Sequence, residues 1–118
     1  PKEHAALARL VCEHHTKLHR VKALRPSTVL KLLETLDAFR RPERLDKFLL
    51  ACEADARGRT GLEDCDYPQR DYLTAILNAA SGIDNKAVIA DSKAGPKEAI
   101  AKARLRVITD SIETFRHE

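Results

Sequence analysis

The segment EHHTKLH, Glu13 to His19, concentrates groups that could do chemistry. His15 and His19 are four residues apart, so a helix puts them on one face, a spacing that lets two imidazoles meet one metal ion or one phosphate. Counting about 100° per residue, His14 falls within the stripe of Leu7, Leu10 and Leu18 and reads as a packed core histidine. The order EHHxxxH excludes the HExxH pattern of helical zinc proteases. A second cluster is EADARGRTG, Glu53 to Gly61. Asp55 stands one turn before the end of a helix that Gly58 should stop, where the dipole disfavours a carboxylate by a few tenths to about 1 kcal/mol. It lies about 70° from the centre of that helix's apolar stripe, in line with Phe48 and Cys52, which predicts half burial. A carboxylate so placed needs a cation, several hydrogen bonds or a metal. A salt bridge to Arg57 or Arg59, the nearest cations along the chain, is the simplest expectation.

Arg40, Arg41 and Arg44 form one basic cluster, and Lys93, Lys97, Lys102, Arg104 and Arg106 form another near the end of the chain. Either could neutralise phosphates, although a solvated helix face accounts for each separately. With two tyrosines, three phenylalanines and no tryptophan, base stacking cannot be the main mode of nucleic-acid binding. No Walker loop and no GxSxG elbow occurs, so a self-contained active site is hard to assemble.

These residues need helices to position them. Apolar residues recur at steps of three and four, which predicts an all-α chain. A first helix runs from about Lys2 to Arg20 with Leu7, Leu10, Val11, His14 and Leu18 inward. Pro26 and Ser27 open a second, Ser27 as N-cap, with Val29, Leu30, Leu33, Leu36 and Phe39 inside. Pro42 begins a third that buries Leu45, Phe48, Leu49 and Cys52 and stops at Gly58 in a left-handed conformation. Pro68 opens a fourth with Tyr72, Leu73, Ile76 and Leu77 inside. Asn85 caps a short fifth that ends near Gly95. Pro96 starts the last, whose Ile100, Ala103, Leu105, Val107, Ile108 and Ile112 form an apolar surface. About six helices with short connections imply a compact array in one domain, residues 1–118.

Composition fits that reading. The 118 residues are 43% hydrophobic and 33% charged, with a net charge of +3 too small to argue for nucleic acid by itself. The three cysteines lack CxxC spacing, which argues against a disulfide framework and a cysteine zinc site and for a reducing compartment. No apolar run approaches the roughly 20 residues of a membrane span, so a cytoplasmic protein is expected. The chain has no methionine and opens on Pro1, which reads as a piece of a larger polypeptide.

The succession LARLVCEHHTKLH, PSTVLKLLETLDAFRRPERLDKFLLACEADARGRTG and DYPQRDYL resembles the C-terminal part of the bacterial multifunctional tRNA nucleotidyltransferases. These CCA-adding enzymes carry an HD phosphohydrolase domain in their C-terminal half. The resemblance implies that residues 1–60 are the remainder of an HD-type domain and residues 61–118 the helices that follow it. It also implies addition of CCA to tRNA from CTP and ATP with magnesium in an N-terminal head, and phosphatase and 2′,3′-cyclic phosphodiesterase activity with nickel or another divalent ion. On that likeness His15, His19 and Asp55 match metal ligands, His15 and Asp55 as catalytic residues. Arg57 and Arg59 would face a substrate phosphate, and Arg40, Arg41 and Arg44 would support tRNA. The chain contains no His-Asp dipeptide, so it should hold only part of the metal site and be inactive alone. The other readings are a helical tRNA-binding module and a scaffold whose Ile100, Val107 and Ile112 join copies into a homo-oligomer.

Overall fold

The computed structural model describes residues 2–59 and 61–117. Its elements are α1 (Lys2–His19), a 3₁₀ turn (Val21–Ala23), α2 (Pro26–Thr35), α3 (Pro42–Arg57), α4 (Pro68–Ser81), α5 (Asn85–Ala90) and α6 (Pro96–Arg116). Proline stands at the first positions of α2, α3, α4 and α6. Its fixed φ suits the first turn and its missing N–H would have had no helical partner there. The same fact displaces the expected cap of α2. With Pro26 already helical, the N-cap is Arg25, and Ser27 lies inside the first turn with no capping bond.

The helices stack into a slab of 53 × 40 × 18 Å, about two helix diameters thick. α6 runs along α4, α2 and α5, while α3 bridges α1 and α4. One core joins Leu18, Leu33, Phe48, Leu73, Ile76 and Ile108, all fully buried. Arg104 lies over the Phe39 ring at 3.8 Å, which ties α6 to the turn after α2. Ile112 is 2% exposed and Ile108 is 0% exposed, so this face of α6 is spent on the core and Ile112 is not available to join copies. α1 is held less deeply. Of its residues only Leu18 is buried, with Leu7, Leu10 and Val11 packed partly against the core.

Three chain reversals differ from the sequence reading. Gly58 ends α3 with φ of −74°, a right-handed value, and the left-handed glycine is Gly61 at +87°. The left-handed helix stop belongs instead to Asp37, φ 55°, after α2. Ala38 N donates to Leu33 O and Asp37 N to Glu34 O, both at 3.0 Å, the paired bonds of a Schellman stop. Aspartate tolerates that region better than most residues, and both hydrophobic partners of the motif, Leu33 and Ala38, are buried. The fifth helix is capped by Asp84, not Asn85. The Asp84 carboxylate accepts from Lys86 N at 3.1 Å and Ala87 N at 3.2 Å, and the helix ends at Ala90, short of Gly95.

Candidate metal and phosphate site

His19 occupies the last turn of α1 and Asp55 the last turn of α3, and packing of these two helices brings their C-terminal ends together. His19 Nε2 stands 3.3 Å from Asp55 Oδ2. Each helix end contributes roughly half a negative charge from its unpaired carbonyls. With the carboxylate added, the locus favours a cation, which resolves the placement of an acid at a helix C-terminus.

The opposite side of the His19 ring is held as well. His19 Nδ1 lies 2.8 Å from the Tyr67 hydroxyl, and the two rings meet edge-on at 5.7 Å. Gln69 donates to the His19 backbone carbonyl at 3.0 Å. A carboxylate can only accept, so in a neutral imidazole Nε2 carries the hydrogen facing Asp55 and Nδ1 accepts from Tyr67. His15 stands alongside, its ring 5.7 Å from that of His19 and nearly perpendicular to it. Its Nδ1 bonds to Val11 O at 2.8 Å, and its Nε2 lies 3.5 Å from Thr16 Oγ1. His14 is partly buried, its ring nitrogens without hydrogen-bond partners and Nε2 3.7 Å from Glu13.

The side chain of Asp55 is 44% exposed, the half burial expected from its position beside the apolar stripe of α3. Its partner is His19, not a neighbouring arginine. Arg57 turns back along α3 to Glu53 at 3.7 Å and donates to Cys65 O at 3.2 Å. Arg70 reaches the same Glu53 carboxylate at 3.7 Å, so Glu53 collects two guanidinium groups beside the site. Arg59 is exposed at the start of the following loop. Arg40 and Arg41 share Asp37 at 3.4 and 3.9 Å just before the N-terminus of α3, and Arg44, in its first turn, is partly buried.

The donor chemistry suits a divalent ion in part. Two ligands of a tetrahedral ion, each about 2.0–2.1 Å from it, stand about 3.3–3.4 Å apart. The His19 and Asp55 separation matches that edge. Among the described residues, no three His, Cys, Asp or Glu side chains come close enough to complete a metal site. The pair therefore stands as two donors at ligand spacing, with the His15 ring adjacent to that of His19.

Burial beside the site has a measurable consequence. Desolvation, and secondarily the Asp55 charge, push the Cys52 thiol from its ordinary value of 9.0 up to about 12. Desolvation also raises Tyr67, followed by the charges of Cys52, Asp55, Glu53 and Cys65. Both groups hold their proton more tightly folded than unfolded. The contribution of Cys52 is complete below about pH 9 and is lost as pH rises toward 12, and that of Tyr67 begins to be lost above its ordinary value of 10.0. The denaturant midpoint of the chain is expected to fall over that window; a flat midpoint from pH 9 to 11 would contradict it.

Tyr67 and Gln69 were not anticipated from the sequence as neighbours of the histidines. The only signal was their place in DYPQ, part of a segment that carries the family resemblance.

Similar proteins are called multifunctional CCA protein. The one from Alcanivorax borkumensis is 51% identical over 120 residues, covering 100% of this chain and 28% of that protein. The one from Nitrosococcus oceani is 43% identical and covers 98% of this chain and 29% of that protein. For the one from Alkalilimnicola ehrlichii the identity is 48%, with 92% and 27% covered. The chain thus spans less than a third of the length of these relatives. No protein-family model matches it, and neither does any solved structure. Among the described residues no helix is long and apolar enough to cross a membrane.

Proposed function

The chain belongs to the multifunctional CCA protein family, as the counterpart of the C-terminal part of its members, and from that premise we propose that it serves two activities of a whole cytoplasmic protein. One is addition of CCA to tRNA 3′ ends from CTP and ATP, which this segment assists by supporting the tRNA while magnesium and the nucleotides are held elsewhere. The other is HD-type hydrolysis of phosphoesters, including 2′,3′-cyclic phosphates, to which it contributes half of a metal site.

The observation that carries the second role is the His19 and Asp55 pair at 3.3 Å where two helix ends meet. A divalent ion, nickel among them, would supply an activated water and offset phosphate charge. His19 and Asp55 would hold it, with His15 able to add a donor if its ring turns from Val11 and the remaining ligands coming from elsewhere in the whole protein. Glu53 fixes Arg57 within reach of a substrate phosphate, and Arg59 adds charge at the rim. Two donors do not make a closed site, so the chain alone is expected to show neither activity in either assay. Stripping divalent ions from the full-length protein should abolish 2′,3′-cyclic nucleotide hydrolysis, and nickel should restore it. Full hydrolysis in metal-stripped protein would overturn the reading.

For tRNA, Arg40 and Arg41 are favoured by their exposure, 74% and 48%, at the end of α3 opposite Asp55. Arg44 extends the same patch. Replacing Arg40 and Arg41 with alanine should weaken tRNA binding and lower the slope of log affinity against log salt by about 1 to 2. An unchanged slope removes them from the interface.

A further inference from the structure

We propose that Tyr67 is a positioning residue for His19, an inference that rests on reading His19 and Asp55 as a cation half-site. Tyr67 is 8% exposed, and its hydroxyl is directed at Nδ1, the ring nitrogen that does not face Asp55. Two residues later Gln69 holds the His19 carbonyl. Between them Pro68 opens α4 and stiffens the segment. His19 is therefore pinned at a ring nitrogen and at the backbone from one rigid stretch of chain, 48 and 50 residues away in sequence. His15 has no such anchor, since its hydrogen bonds are to its own helix.

The choice of a hydroxyl is chemically specific. With Nε2–H directed at Asp55, Nδ1 needs a donor, and the tyrosine O–H provides it. When Nε2 presents its lone pair to a cation instead, the ring hydrogen resides on Nδ1 and the same oxygen accepts it. The proton count of the neutral ring is the same in both tautomers, exchanged through solvent. A carboxylate in place of Tyr67 could serve only the second arrangement. Phenylalanine would preserve the packing of the ring and serve neither. Tyr67 thus keeps the plane of His19 directed at Asp55 in either tautomer, the task that partners of metal-binding histidines perform.

The test is Tyr67→Phe in the full-length protein, with nickel ion titrated by calorimetry and thermal unfolding recorded without metal. Nickel affinity is expected to fall about 10- to 100-fold at unchanged Tm. Affinity equal to that of the unsubstituted protein overturns the proposal. His19→Ala measured alongside separates two failures. If it loses nickel while Tyr67→Phe does not, only the positioning role falls. If it also binds nickel normally, the cation reading falls and the positioning role with it. Should Tyr67→Phe unfold, the unsubstituted metal-free protein answers by ¹⁵N-histidine NMR at alkaline pH. A hydrogen-bonded Tyr67 hydroxyl proton correlated with His19 Nδ1 supports the proposal; its absence overturns it.

Discussion

Asp55→Ala in the full-length protein is expected to lower metal-dependent hydrolysis of a 2′,3′-cyclic nucleotide by at least about 100-fold and to leave CCA addition nearly unchanged. The magnitude follows from comparison. Partners that merely orient a metal ligand cost about 10- to 100-fold when lost, and Asp55 would be a ligand itself. The carboxylate is 44% exposed and, among the described residues, pairs with His19 alone, so its removal should not disturb the core. The fold should survive, which makes retained CCA addition an internal control. His15→Ala is the companion experiment. In the metal-free arrangement its nitrogens address Val11 and Thr16, so a loss as large as that of Asp55→Ala would mean that the ring turns when the site is completed. Normal hydrolysis in both variants would end the assignment of these residues.

Phe48→Ala should produce the largest loss of stability, about 3–5 kcal/mol. Phe48 is completely buried on α3, the helix that packs against both α1 and α4. It lies two turns before Asp55, so the cavity would loosen the helix that carries the carboxylate. For a domain with a total stability of about 5–15 kcal/mol, that is about a fifth or more of the reserve. Thermal unfolding of the chain should fall by about 12–20 °C. Leu50→Ala, on the same helix but 47% exposed, should change stability by no more than about 0.5 kcal/mol. Equal shifts for the two variants would mean that α3 is not held as described.

Much of the fold was legible because it is local. Proline at the head of four helices and the three-and-four spacing of leucine, isoleucine and phenylalanine depend on residues within a turn or two of each other. The inward set of the third helix, Leu45, Phe48, Leu49 and Cys52, is the buried set. The turns were less legible. Glycine, asparagine and aspartate all permit a left-handed stop, and local preference favoured Gly58. The choice of Asp37 depended on where Leu33 and Ala38 had to be buried.

The candidate site divides the same way. Sequence by itself determined that His15 and His19 share a face and that Asp55 stands at a helix end, since both follow from helical geometry. Only the tertiary structure decided that His19, and not His15, faces Asp55 across 36 residues, that Arg57 turns to Glu53, and that Tyr67 holds the imidazole from behind. The physical reason is that periodicity fixes the angle of a side chain about its own helix axis. It does not fix which helix ends meet, and the meeting of two negative ends is what gives the acid and the imidazole their partner.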